Sequence, residues 1–267
     1  MSGMEPIKQS IKATAPWLIH GVRLARWAKH QVTFPVVATA VELRAHGRVM
    51  SGPFAGMRVP GTGIGPGFYT QLLGIYEKSL VPVIEAVIGR PPATIVDAGA
   101  GSGYYALGLA MRCPESRIIA YEIDPTRADV IRKYERLNHV EGHVEVRGAC
   151  TTEALTEDFA SPPAPFLLMD VEGAEDTLLD PARIPGLRGA EILVELHEQY
   201  VPGVTRRLQD RFADTHVQSV LQAEHPPPNR ELVGWVADQP GLRSIVRRMI
   251  DEGRGVEMAW LHLTPRN

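Results

Sequence analysis

From about residue 93 onward, short apolar runs alternate with segments of helical periodicity, and this alternation admits few folds. The runs fall at 94–96, 117–121, 143–146, 165–169 and 191–196 and are rich in Val, Ile and Leu. Helical stretches separate them at 104–112, 127–137, 152–159, 175–179 and 205–212. Strands that are apolar on both faces belong to a parallel sheet covered by helices on each side. Right-handed crossovers then give an open, doubly wound, mostly parallel α/β sheet. Two more strand candidates, 216–222 and 256–263, bring the expected sheet to seven strands within a domain spanning 91–267. Residues 224–255 read as an insertion, with a rigid proline loop at 226–228.

Residues 1–90 read as an N-terminal extension of helices and loops. Ile7, Ile11, Leu18 and Val22 recur at helical spacing, broken at Pro16, and Lys8, Lys12, Arg23, Arg26 and Lys29 fill the other faces. Such a basic face can meet a membrane surface or an acidic partner, but a solvated helix face is the simpler account. A Gly/Pro-rich stretch at 51–67 predicts turns and a short hairpin around Met57-Arg58-Val59, and 69–88 predicts one or two helices. The net charge of −3 gives no drive toward nucleic acid. Cys113 and Cys150 alone cannot make a disulfide framework or a zinc site. With no leader-like opening and no apolar run near the ~20 residues a membrane span needs, a soluble cytoplasmic protein is expected. Its partner would be a small molecule, with a homo-oligomer left open.

The sharpest local signal is Ile95-Val96-Asp97-Ala98-Gly99-Ala100-Gly101-Ser102-Gly103-Tyr104-Tyr105. An apolar strand ends in an acid, passes through glycines at every second position and enters a helix. Such a bend lets the backbone approach a ligand where a Cβ would collide. Asp97 at the strand tip suits a ligand carrying an ammonium or a hydroxyl and would repel a pyrophosphate. About 20 residues after the glycine loop, Glu122 ends the next strand, followed by Ile123, where an acid can accept both ribose hydroxyls. Read as Gly101-x-Gly103-x-x-Ala106, the loop also satisfies the dinucleotide pattern. An NAD(P)-dependent Rossmann oxidoreductase is therefore the alternative reading.

These residues resemble the class I methyltransferase fold, and more narrowly the FkbM-type methyltransferases. The marks are Leu72-Leu73-Gly74-Ile75-Tyr76-Glu77, Val96-Asp97-Ala98-Gly99, Asp170-Val171-Glu172-Gly173-Ala174-Glu175 and Leu193-Val194-Glu195-Leu196-His197. The resemblance covers roughly residues 70–267. It implies S-adenosylmethionine as cofactor, O-methylation of a small-molecule hydroxyl, and a last strand running antiparallel. It places the cofactor against Asp97, Gly99, Ala100, Gly101, Gly103, Glu122, Ile123 and Asp170. Adenine would fall at Gly148-Ala149-Cys150; many methyltransferases carry a carboxylate there and this chain does not, so backbone groups around Ala149 would serve. Tyr104 and Tyr105 would pack near the cofactor or in the core. A third reading is a non-catalytic binding module that keeps the cofactor fold and acts through its N-terminal helices.

Methyl transfer needs alignment of the nucleophile and removal of its proton. The ends of the fourth and fifth strands supply Asp170 and Glu172, then Glu195 and His197, each pair two residues apart and so on one face of its strand. His197 or a carboxylate can act as general base, His being best matched to neutral pH. The same four residues can instead hold a divalent metal that orients the acceptor oxygen. The base reading is preferred, and no metal is assigned, because the ligand set is not diagnostic. The plainer account is a network of buried acids paired with arginines. Tyr76 and Glu77 can close over the methionine end or the acceptor, and His225, Asn229 and Arg230 can border the acceptor pocket.

Overall fold

Seven strands form one sheet: β1 (Thr94–Ala98), β2 (Arg117–Tyr121), β3 (Val144–Arg147), β4 (Phe166–Met169), β5 (Ile192–Leu196), β6 (His216–Gln222) and β7 (Ala259–Pro265). The computed structural model describes residues 34–59, 67–223, 233, 239, 241–250 and 258–266. The strand order is β3-β2-β1-β4-β5-β7-β6; β1 to β5 are mutually parallel, and β7 runs antiparallel to both its neighbours. This is the doubly wound, Rossmann-like arrangement expected, with the antiparallel last strand that the resemblance implied. β6 points the same way as β5 but does not pair with it, because β7 lies between them.

Both faces of the central strands are covered. Val96, Ala98, Ile119, Leu167 and Val194 join one buried cluster with Leu155, Leu208 and Phe212, while Ile95 and Ile118 point the other way and are equally buried. Each buried Val, Leu, Ile or Phe among them contributes roughly 1.5–3 kcal/mol. That explains why the strands read as unbroken apolar runs.

The helices are α1 (residues 34–45), α2 (Phe68–Leu73), α3 (Val81–Gly89), α4 (Tyr104–Arg112), α5 (Pro125–Asn138), α6 (Thr152–Asp158), α7 (Glu175–Leu178), α8 (Val204–Phe212) and α9 (Arg243–Met249). α5 begins two residues before the expected 127, because Asp124 accepts from the Thr126 amide and Pro125 occupies the first turn. The stretch 69–88 resolves into α2, a 3₁₀ turn at Lys78–Leu80 and α3. The expected hairpin reduces to a single bridge between Arg48 and Arg58, with Val49 N–H donating to the Met57 carbonyl.

The chain divides into two compact units, one of residues 1–46 with 228–249 and one of residues 47–227 with 250–267. In the first, α1 turns Val37, Ala38, Val41 and Ala45 inward, and α9 buries Ile245, Val246 and Met249. The basic segment from Ile7 to Lys29, the 226–228 loop and His225, Asn229 and Arg230 lie outside the described residues, as does most of the 224–255 insertion. Among the described residues no helix is long and apolar enough to cross a membrane.

The chain leaves β1 outward through β2 and β3, then returns to β4 on the other side of β1. The crevice at that reversal, outside the carboxyl ends of the strands, is where such sheets bind ligands. The register brings the strand ends level, with Ala98 facing both Tyr121 and Met169. The loops after β1 and β4 then touch: Asp170 N–H donates to the Ala98 carbonyl at 2.8 Å, and a Cβ on Gly99 would lie 1.7 Å from the Asp170 carbonyl oxygen. Gly99→Ala is expected to cost roughly 2–4 kcal/mol in thermal or denaturant unfolding, from clash and positive φ together. Gly101→Ala meets only the Gly99 carbonyl at 4.0 Å and should cost about 1 kcal/mol. Equal losses would contradict the close approach.

Candidate active site

At the crevice the glycine loop, the ends of β1, β2 and β4, and the segment around Tyr76 enclose an open cleft of about 790 Å³. β1 runs two residues further than the 94–96 run suggested, so Asp97 lies inside the ladder, opposite Ala120 and Leu168, rather than just past it. Asp97 still lines the cleft, is 1% exposed, and neither carboxylate oxygen has a hydrogen-bond partner. Burial pushes its pKa up to about 7, the nearby charge of Asp170 adds to this, and Glu77 and Glu122 add less. The Ala106 amide tempers the shift without closing a hydrogen bond of normal geometry. A carboxylate in this position is short of a cation.

The loop itself is a poor cradle for phosphate. Gly99 N–H and Ala100 N–H both donate to the Tyr121 carbonyl, at 3.0 and 2.9 Å, and Gly103 N–H donates to the Ala100 carbonyl. Those amides are spent on fixing the bend and cannot also converge on an anion. Gly101, with φ of 57°, is the glycine whose missing Cβ leaves open space at the cleft.

On the β2 side, Glu122 is buried at the strand end and accepts from the Asp124 amide through Oε1. Ile123 beside it is 78% exposed and lines the cleft, as do Gly148, Ala149 and Cys150. Burial pushes the Cys150 thiol up to about 12, so it presents a neutral wall. An acid at ribose height with an exposed isoleucine and a thiol next to it suits a nucleoside. On the opposite side Tyr76, Glu77, Tyr104 and Tyr105 line the cleft. Phe54, Tyr76 and Tyr105 all pack edge-on around Tyr104, and Tyr105 O–H donates to Glu77. Glu77 holds φ at 46°, a left-handed value that a non-glycine residue adopts only when its surroundings impose it.

The four residues expected at the reacting end come together, though not through strand alternation. β4 ends at Met169, so Asp170 and Glu172 sit on a turn, where Glu172 has φ of 53°. β5 ends at Leu196, so Glu195 is in the strand and His197 just beyond. His197 Nε2 lies 3.3 Å from Glu172 Oε2, 3.5 Å from Asp170 Oδ1 and 3.6 Å from Glu195 Oε2. Asp170 and Glu172 line the cleft; His197 is fully buried behind them, and neither it nor Glu195 reaches the cleft wall. Burial alone would lower the His197 pKa, but its hydrogen bond to Glu175 and the surrounding carboxylates raise it overall. A buried imidazole held toward its charged form is poorly placed to take a proton from a bound acceptor. Any direct base in the cleft would then be a carboxylate.

Two participants escaped the sequence. Glu175, fully buried, accepts from His197 Nδ1 at 2.5 Å and from the Gly173 amide at 3.0 Å, fixing the ring so that Nε2 faces the other acids. Its place five residues after Asp170 was visible, but only the turn at Glu172 and Gly173 folds it back. Trp260 lines the cleft with a buried Nε1 that has no hydrogen-bond partner. It arrives because β7 inserts next to β5, opposite Glu195, and no local pattern announces that pairing.

No protein-family model matches the chain, and no match to a curated protein is found. Among solved structures, the fold is similar to that of the O-methyltransferase TomG from Streptomyces achromogenes in complex with SAM, at 14% identity and TM-score 0.45, covering 67% of this chain and 77% of that one. It is similar to the O-methyltransferase from Bacillus cereus in complex with SAH, at 15% identity and TM-score 0.45, covering 67% and 78%. A putative O-methyltransferase from Klebsiella pneumoniae aligns at 13% identity and TM-score 0.44, covering 87% and 90%.

The Asp97 carboxyl binds its proton more tightly in the folded chain, titrating at about 7, than an ordinary aspartate does at 3.8. Between those values the folded state keeps a proton that the unfolded state has lost, so this group's contribution to stability falls as pH rises from about 4 to 7. Asp97→Asn is therefore expected to stabilise the ligand-free protein at pH 8, by roughly 1–4 kcal/mol, with little effect near pH 4. A lower melting temperature for Asp97→Asn at pH 8 would show that the carboxylate is compensated after all.

Proposed function

We propose that this chain is an S-adenosylmethionine-dependent methyltransferase that methylates a hydroxyl group of a small molecule, of the FkbM type within class I. The observation that carries the reading is Asp97: a buried carboxylate without a hydrogen-bond partner, on the wall of a cleft also lined by Glu77, Glu122 and Asp170. A ligand with an ammonium group for Asp97 and a net positive charge from its sulfonium supplies the charge that this cleft lacks. A pyrophosphate would meet the same acids with the wrong sign, at a loop whose first amides are already donated to Tyr121. The oxidoreductase alternative is accordingly set aside.

The residues present divide the work as follows. Asp97 would hold the ammonium, Glu122 the ribose hydroxyls, and Ile123, Ala149 and Cys150 the adenine, while Gly101 lets the ligand lie against the backbone. Tyr76, Tyr104 and Tyr105 would wall off the methionine end. S-adenosylmethionine supplies a methyl group on a sulfonium leaving group. The protein would then align the acceptor oxygen and take up its proton at Asp170 or Glu172, the members of the cluster that line the cleft, with Glu195 and His197 behind them. The segments on which the FkbM resemblance rests supply cleft-lining residues, among them Tyr76, Glu77, Asp97, Asp170 and Glu172, which supports the finer assignment. Cys113 and Cys150 are both free thiols, which suits a cytoplasmic setting.

Isothermal titration of the full chain with S-adenosylmethionine, S-adenosylhomocysteine and NAD(H) tests the reading. The first two are expected to bind in the micromolar range and NAD(H) not at all, and Glu122→Ala should weaken binding at least tenfold (about 1.4 kcal/mol). Transfer of labelled methyl groups into a metabolite extract should then follow. NAD(H) binding without S-adenosylmethionine binding would overturn the assignment.

A further inference from the structure

We propose that Asp170, Glu172 and His197 form a binding site for a divalent first-row transition-metal ion, with Glu175 positioning the imidazole toward it. The donor atoms of these three side chains lie within 4.8 Å of one another. With metal–ligand bonds near ~2.1 Å and angles of about 90–110°, neighbouring donors should stand ~3.0–3.4 Å apart. Along the two edges that include the imidazole, His197 Nε2 is 3.3 Å from Glu172 Oε2, within that spacing, and 3.5 Å from Asp170 Oδ1, just beyond it. The third edge joins the two carboxylates, and the Glu172 side chain, 67% exposed, has the freedom to close it.

The cluster is more than a group of acids. His197 is fully buried, its Nε2 is aimed at the two carboxylates, and that nitrogen has no hydrogen-bond partner; Asp170 Oδ1 is likewise buried without one. Nδ1 is held by Glu175, which itself accepts from the Gly173 amide. A carboxylate gripping one ring nitrogen fixes the tautomer and leaves the other as a basic donor, the arrangement that metal-ligating histidines rely on. Charge points the same way. Four carboxylates surround one imidazole, and among the described residues no lysine or arginine lies within ion-pair distance of Asp170, Glu172 or Glu175. The nearby Arg207 and Arg211 pair with Asp176 instead. At these three acids the arginine pairing considered from the sequence is absent among the described residues.

Two carboxylate oxygens and one imidazole nitrogen suit Mn²⁺, Fe²⁺, Co²⁺ or Zn²⁺ better than Ca²⁺ or Mg²⁺, which prefer all-oxygen sets. Asp170 and Glu172 line the cleft, so the ion would face the acceptor and lower the pKa of its hydroxyl. That catalytic role rests on the methyltransferase reading, whereas binding of the ion does not.

The test uses the full chain, stripped with a chelator and titrated with Mn²⁺ alone, following heat and loss of the free-ion electron paramagnetic resonance signal. One ion per chain is expected, with affinity reduced at least tenfold by Glu172→Gln and by His197→Ala, and roughly tenfold by Glu175→Gln. Because His197→Ala empties a buried position, Glu172→Gln on the exposed turn is the decisive variant, and its circular dichroism should match the parent. Absence of Mn²⁺, Co²⁺ and Zn²⁺ binding at millimolar concentration, or Mn²⁺ binding unchanged in Glu172→Gln, would overturn the site. Metal binding without S-adenosylmethionine binding would instead leave this site standing and remove the methyltransferase reading.

Discussion

The meeting of the loops after β1 and β4 fixes where everything else in the cleft can be. Because β1 is paired in register on both sides, its end and those of β2 and β4 arrive at one level, and the loops beyond them have no room to separate. The Asp170 amide is tied to the Ala98 carbonyl, and the Asp170 carbonyl occupies the space that a side chain at position 99 would need. That single approach sets the height of Asp170 relative to Asp97. It also aims the following turn, with Glu172 in a left-handed conformation, back toward His197. Strain of this kind costs of order 1–3 kcal/mol per residue and survives only where the surrounding structure over-determines it. Here the sheet does so.

The second consequence is electrostatic. Bringing β1 and β4 together puts Asp97 and Asp170 into one cleft, and Glu77 and Glu122 close in from either side. Such a constellation lowers the stability of the empty protein, since like charges and a buried carboxyl without a partner each carry a cost. The large apolar core of β1, β2, β4 and β5 offsets that cost. What the fold gains is a concentration of acids at two places on the cleft wall, around Asp97 and around Asp170 and Glu172. The cofactor and the divalent ion proposed above would answer the same charge imbalance at two places.

The sheet was legible because covered strands carry no polar face, so residues 94–96, 117–121 and 191–196 announce themselves by composition alone. Asp97 and Glu122 were legible because an acid is conspicuous at the end of such a run. The full reach of β1 was not, since an aspartate inside a parallel ladder contradicts the propensity of the residue and is tolerated only for what it faces. Convergence of Asp170, Glu172, Glu195 and His197 was anticipated by strand alternation, yet arises from a turn at one place and a strand end at the other. Glu175 and Trp260 were illegible for a shared reason: each reaches the site through a long-range arrangement, a folded-back turn and an inserted antiparallel strand. Phe54 belongs with them, for its ring fills the space above Gly108 of α4 across a separation no local pattern spans.

If a cation-seeking carboxyl at the tip of the central strand organises this cleft, its own titration reports the fact. The carboxyl ¹³C resonance of Asp97 should be followed against pH in the ligand-free protein and again at saturating S-adenosylmethionine. The account predicts a midpoint near 7 in the empty cleft, falling by at least two pH units once the ligand's ammonium is beside it, a coupling of roughly 2.7 kcal/mol. A midpoint near the ordinary carboxylate value in the empty protein, or one that does not move on saturation, would contradict it.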